Sequence, residues 1–126
     1  MRLLPIFVLC GASLLSPWLG AVELSSRTPD YGVLIISRER LEIATACDIG
    51  VYLQDQLVSR LFQGQSASYN LPPGEVSVRL GIMGDTGCQP SFEQIRSDQV
   101  QIRAGAIHRY RVMLLENGLG LREIAP

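Results

Sequence analysis

The sequence predicts an all-β fold: an antiparallel β-sandwich of seven or eight strands, preceded by an N-terminal signal helix. Three observations carry this. Between residues 31 and 124, short runs recur in which apolar and polar residues alternate at period two. Gly- and Pro-bearing turns separate the runs at regular spacing, as in antiparallel β-proteins. Beyond the first 21 residues, no apolar pattern of period 3.6 is sustained.

The leader comes first. Met1-Arg2 is a short basic start, residues 3–15 are largely apolar, and residues 16–21 carry Pro17, Gly20 and Ala21. That is the order of a secretory signal peptide, with cleavage expected after Ala21. Two alternatives stay open. Residues 3–22 are long enough to span a bilayer as an uncleaved anchor, although Pro5, Gly11 and Pro17 weaken a spanning helix. A lipoprotein would use Cys10 and leave a very short apolar segment. All three place the remainder outside the cytoplasm, periplasmic or secreted, with membrane contact only through a retained leader. Residues 22–30 are polar, include Pro29, and read as a flexible lead-in. Residues 31–126 read as one domain, near the lower comfortable size for a single core.

Each strand has its own signal. Val33-Leu34-Ile35-Ile36 is an apolar run suited to the middle of a sheet. Residues 38–45 are ambiguous: Leu41 and Ile43 alternate with Glu42, which suits a strand, residues 39–46 also suit a turn or two of helix, and a loop is the preferred reading. Ile49, Val51 and Leu53 then alternate with Gly50 and Tyr52. Gln54-Asp55 fits a two-residue hairpin imperfectly, because a type I′ turn wants positive φ at both centres and neither residue is Gly; a three-residue loop using Gln56 is the alternative. The partner strand, residues 57–62, ends at Gln63-Gly64-Gln65, and residues 66–71 form a short next strand. Pro72-Pro73-Gly74 makes a turn. Val76, Val78, Leu80 and Ile82 point inward while Glu75, Ser77 and Arg79 point out. Residues 83–96 have no period and read as a long surface loop. Val100 and Ile102 begin another strand, Ala104-Gly105 turns it, and residues 107–115 form a long one. Asn117-Gly118 signals a hairpin into the last strand, which begins at Leu119.

Composition narrows the function classes. All eleven basic residues are arginine, set against twelve acids, for a net charge of −1. Loss of the leader removes Arg2 and leaves the chain slightly more acidic. No basic excess marks a nucleic-acid binder. Without lysine there is no Walker-type phosphate loop and no Schiff-base chemistry. Cys47 and Cys88 remain after cleavage. In an oxidising compartment such a pair is expected to form a disulfide, closing a loop of about 40 residues. Two buried thiols or a metal site are the alternatives; a single histidine and the lack of a CxxC motif speak against metal.

Three motifs in order resemble a known family. Val51-Tyr52-Leu53-Gln54-Asp55 is similar to the "VYLDG" hairpin of PEGA-type domains, and of a related bacterial domain-of-unknown-function family of small exported proteins. Leu71-Pro72-Pro73-Gly74-Glu75-Val76 resembles their "PPGxh" turn. Residues 103–112, with Gly105 followed by His108, Tyr110 and Val112, resemble their strand pair. The resemblance spans residues 32–124. It implies an immunoglobulin- or transthyretin-like sandwich, found as an envelope protein without assigned activity and offering no catalytic residues to carry over. Gln54-Asp55 departs from the family's Asp-Gly, and the Cys47/Cys88 pair is not part of its pattern.

No constellation converges on catalysis, and no cofactor is implied. His108 is the single histidine, on a strand face shared with Tyr110, Val112 and Leu114. It reads as a strand-edge side chain with its ring tip hydrogen-bonded or wet, since no GxSxG-type elbow presents a nucleophile to it. Arg109 and Arg111 project from the opposite face. They suit a carboxylate or phosphate, or simply acids on a neighbouring strand. The four tyrosines, on separate segments, suit sheet packing. The long loop offers Asp85, Gln89 and Phe92 as contact residues, since loops on rigid scaffolds carry recognition. The expectation is a non-enzymatic exported sandwich binding or bracing an envelope protein or peptidoglycan-associated component. An accessory subunit of a secretion or pilus assembly is the alternative, and a small periplasmic hydrolase a more distant one.

Overall fold

A computed structural model describes Gly11 and residues 29–88, 96–116 and 118–125. The leader, most of the lead-in, Gln89, Phe92 and Asn117 lie outside the described residues. Eight strands follow in order: β1 Gly32–Ser37, β2 Asp48–Leu53, β3 Gln56–Leu61, β4 Ser66–Leu71, β5 Gly74–Met83, β6 Asp98–Ile102, β7 Ile107–Leu115 and β8 Gly118–Glu123. They form two four-stranded sheets, β4-β1-β7-β8 and β3-β2-β5-β6. Among the described residues there is no helix, and so none long and apolar enough to cross a membrane.

Period-two alternation builds the core. Leu34 and Ile36 from β1 and Val112 and Leu119 from β7 and β8 face Ile49, Val51, Val78, Leu80, Val100 and Ile102 from the other sheet, all buried. At about 1.5–3 kcal/mol for each fully buried aliphatic side chain, this interior is the main source of stability. On β5 the inward set is the one expected, Val76, Val78, Leu80 and Ile82. Its strand runs longer than expected at both ends and takes in Met83. Across β2 and β5, Gly50 pairs with Gly81, and a Cβ on Gly50 would collide with the Met83 sulfur and approach Leu57.

The hairpin of β2 and β3 is the two-residue form. Gln54 and Asp55 both take positive φ, 50° and 64°, as a type I′ turn requires. The Gln54 side chain compensates for the unfavourable backbone. Its Oε1 accepts the Ser77 N–H at 2.9 Å, while its own N–H donates to the Ser77 carbonyl at 2.9 Å. Further along, β3 carries a bulge: Val51 lies opposite Ser59 and Tyr52 opposite Leu57, leaving Val58 unmatched.

One ladder departs from the expected antiparallel pattern. β1 pairs antiparallel with β4 but parallel with β7, from Val33 opposite Ile107 to Ser37 opposite Arg111. The alternation of residues along a strand is the same whichever way its neighbour runs, so direction was not written in the pattern. The remaining ladders are antiparallel.

The loop between β1 and β2 is a loop, as expected, but a built one. Arg38 continues the inward parity of Leu34 and Ile36 and is 1% exposed. Its Nη1 donates to the carbonyls of Cys47 (2.8 Å) and Leu61 (2.9 Å), and its Nη2 to those of Thr45 (2.8 Å) and Ile43 (3.3 Å). Burial lowers its pKa and the nearby Asp48 charge opposes that shift. Ile43 is buried beneath the same loop. At its far end Cys47 is disulfide-bonded to Cys88, with the Cα atoms 5.7 Å apart. The expected clasp is therefore present, and it is compatible with an oxidising, exported location.

Candidate functional site

Arg38 and the arginines of the described strands stand in three environments. Arg38 is spent inside the fold. On the outer face of the β3-β2-β5-β6 sheet, Arg60 meets Asp48 at 3.2 Å. Arg79 on that face stacks over the Tyr52 ring at 4.1 Å from its centroid, with Asp55 at 4.0 Å. The outer face of the β4-β1-β7-β8 sheet is different.

There His108 and Val112 are buried, so Arg109 and Arg111 project outward from β7. Arg111 lies directly opposite Arg122 of β8. Arg109 lies beside Ile35, and Arg111 beside Ser37, across the parallel ladder. The surrounding outward residues are Val33, Ser66, Ser68, Asn70, Ile107 and Met113, none of them charged. Glu123, the one acid in these four strands, belongs to the opposite parity, opposite Tyr110. Among the described residues, Arg109, Arg111 and Arg122 form no ion pair, and the half-buried Arg111 keeps an Nε shielded from water without a partner. The simpler expectation, acids on a neighbouring strand, is thus not met. Like charges directly opposite across a ladder cost roughly 0.2–1 kcal/mol. This face carries that cost, and its guanidinium groups have their donors available for a planar oxyanion.

The other candidate residues are scattered. Asp85 follows the end of β5, in the sheet remote from Arg109 and Arg111, and its carbonyl accepts the Cys88 N–H at 2.9 Å. It shapes the turn beside the disulfide and does not join the arginine face. Gln89 and Phe92 lie outside the described residues. The same end of the sandwich exposes Leu41, at 77% with φ of 74°, and Phe62 on the adjoining turn. The two loops there are tied by Gln63 donating to the Thr45 carbonyl at 3.0 Å and by Arg38 N–H to the Gln65 carbonyl at 2.8 Å.

His108 is more deeply placed than a strand-edge side chain. It is 4% exposed, and its Nε2 accepts the Arg103 N–H at 3.0 Å. An accepting Nε2 leaves the ring proton on Nδ1, and Nε2 itself is engaged by the backbone of Arg103. Tyr110 lies on the same face; burial raises its pKa, reinforced by Glu123 and Asp98 and opposed by Arg103. Asp98 is used structurally, its Oδ2 accepting the Leu121 N–H at 3.0 Å and so joining one sheet to the other. Tyr69 is also raised by burial. Its hydroxyl is shielded from water, and Ser59 approaches it without completing a hydrogen bond. Among the described residues, no three His, Cys, Asp or Glu side chains gather as a metal site.

Arg122 is not singled out by the sequence, because the hairpin signal points to a different register. The expected Asn117-Gly118 turn pairs Glu116 with Leu119 and sets Arg111 against Ile124, whereas β8 already begins at Gly118, which lies opposite Leu115, and this register, shifted from the expected one, brings Arg122 opposite Arg111. Comparison with known proteins adds no identity: no family model matches the chain, and no curated protein matches it in sequence.

Proposed function

We propose that this protein is a non-enzymatic, exported β-sandwich that binds an anionic component of the cell envelope through the outer face of β7 and β8. The observation that carries this reading is the row of Arg109, Arg111 and Arg122 without acids, on a chain whose other described sheet arginines, Arg60 and Arg79, are partnered. Peptidoglycan carboxylates and acidic surfaces of envelope proteins supply the complementary chemistry. The resemblance to PEGA-type domains supports the scaffold role. The engaged Nε2 of His108 gives a hydrolase no free base there.

The test is site-specific photo-cross-linking in intact envelopes. A cross-linker at Ile107, beside the arginine row, is expected to capture a partner that Arg109→Ala/Arg111→Ala/Arg122→Ala loses and that rising salt releases. The same group at Gln99, on the outer face of the other sheet, is expected to capture nothing. Equal capture from both positions, or capture unaffected by the triple substitution, overturns the reading.

A further inference from the structure

Each sheet of an open sandwich has two edge strands, and proteins ordinarily blunt such edges with charge, proline or a bulge. Three of the four edges here carry such a device. β3 has its bulge at Val58 and the charge of Arg60. β6 begins at Asp98, whose carboxylate binds across to Leu121. β8 ends in Arg122-Glu123. β4 has none. Its sequence is Ser-Ala-Ser-Tyr-Asn-Leu, its six residues pair with β1 without a register shift, and no charged residue occurs from Leu61 to Gly74.

The register shows which backbone groups are free. Arg38 N–H binds the Gln65 carbonyl, so Gln65 and, at period two, Ala67, Tyr69 and Leu71 turn their N–H and C=O toward β1. Val33 N–H binding the Ala106 carbonyl gives the same phase on the β7 side of β1. The N–H and C=O groups of Ser66, Ser68 and Asn70 therefore point away from the sheet, and these three residues are exposed. Among the described residues, no hydrogen bond covers them.

We propose that β4 is a pairing edge for the β4 of a second copy of this chain, the two strands antiparallel about a two-fold axis at Ser68. The register is self-complementary. Ser68 meets Ser68 of the other copy, and Ser66 meets Asn70, giving about six hydrogen bonds from the three outward residues of each strand. On the inward side Ala67 meets Tyr69, small against large. No charge opposes its copy, which is the condition an isologous contact must meet. β3, stacked beside β4 in the other sheet, carries the exposed and unmatched Val58, and the two-fold places the two β3 edges on the same side of the interface. The result is one eight-stranded sheet. It displays both arginine rows on the same face, with the two β7 strands five strand spacings, or about 24 Å, apart. This pairing is independent of what those rows bind.

Sedimentation velocity on the purified, disulfide-bonded protein tests it. The wild-type chain is expected to be a dimer. Ser68→Arg, which sets like charges opposite each other at an exposed position, is expected to raise the dissociation constant at least ten-fold. Gln99→Arg on exposed β6 should leave it unchanged. Ser68→Cys is expected to form a covalent dimer on mild oxidation, whereas Ser66→Cys alone, whose partner would be Asn70, is not. A wild-type monomer at every concentration, a dimer indifferent to Ser68→Arg, or equal cross-linking at positions 66 and 68 overturns the proposal. Circular dichroism and melting temperature confirm that each variant is folded.

Discussion

Arg38 and Arg111 are the same side chain put to opposite uses. Both carry an Nε shielded from water without a partner. Around Arg38, though, four backbone carbonyls converge on the two terminal nitrogens, and the guanidinium knits the loop of residues 38–47 to the end of β3. Opposite Arg111 stands another arginine, and among the described residues no acid pairs with it. Hydrogen bonds to a charged group contribute about 1.5–3 kcal/mol each, and unpaired buried groups cost about 1–3 kcal/mol. A guanidinium surrounded by acceptors therefore holds a fold together. One facing its own kind gains no such bonds from the described residues.

The comparison can be broken by substitution. The largest expected effect is at Arg38→Ala, which strands the carbonyls of Cys47, Thr45, Ile43 and Leu61. Urea denaturation should show a loss of about 3–5 kcal/mol, and Arg38→Lys should recover little of it, because one ammonium cannot span the fork. Loss of under 1 kcal/mol would mean that the loop holds itself. Next comes the disulfide at the end of the same loop. Cys47→Ala/Cys88→Ala should cost about 3–4 kcal/mol for a closed loop of 41 residues, measured on the same denaturation axis.

Arg111→Gln should act in the opposite direction. Removing the charge opposite Arg122 is expected to stabilise the fold by about 0.5 kcal/mol while weakening partner capture. A destabilised variant would show that Arg111 belongs with Arg38. The smallest effect separates the arginines from the tyrosines. Tyr69 and Tyr110 both have their folded pKa raised above the ordinary 10.0, chiefly by burial. Their contribution is complete below pH 10 and is lost as pH rises from there through the folded value, since the unfolded chain ionises first. Arginine remains protonated in that range. The alkaline slope in stability should therefore persist in Arg111→Gln and shrink in Tyr69→Phe/Tyr110→Phe.

Much of the architecture is legible in the sequence because burial on a strand is a matter of parity. Val76, Val78, Leu80 and Ile82 are inward both by pattern and in the fold. Parity also marks Arg38, a charged residue in step with Leu34 and Ile36, but its burial depends on carbonyls as distant as Leu61, and nothing local distinguishes it from the exposed Arg40. The turn at Gln54-Asp55 was hard to read for a related reason. Its backbone is unfavourable for Gln, and what makes it tolerable is a bond to Ser77, 23 residues away. At the arginine face, Arg109 and Arg111 were visible as a pair, whereas the lack of acids around them is a property of which strands became neighbours.

The parallel ladder between β1 and β7 has a consequence for how the chain reaches this state. Ile35 and Arg109 are adjacent in the sheet and far apart in sequence, and loop-closure entropy must be met before such a contact gives anything back. As the chain emerges from its N-terminal end, β2 can meet β3, and β5 can join them, while β1 has only β4 to hold. The β3-β2-β5-β6 sheet can thus assemble from neighbouring segments, but its counterpart stays two-stranded until residue 107 and beyond arrive. Folding is expected in milliseconds to seconds, at the slow end for this size. A chain cut before β7 keeps β1 and β4 as an isolated pair, with Leu34 and Ile36 half-covered, so the last strands to arrive are the ones that seal the core.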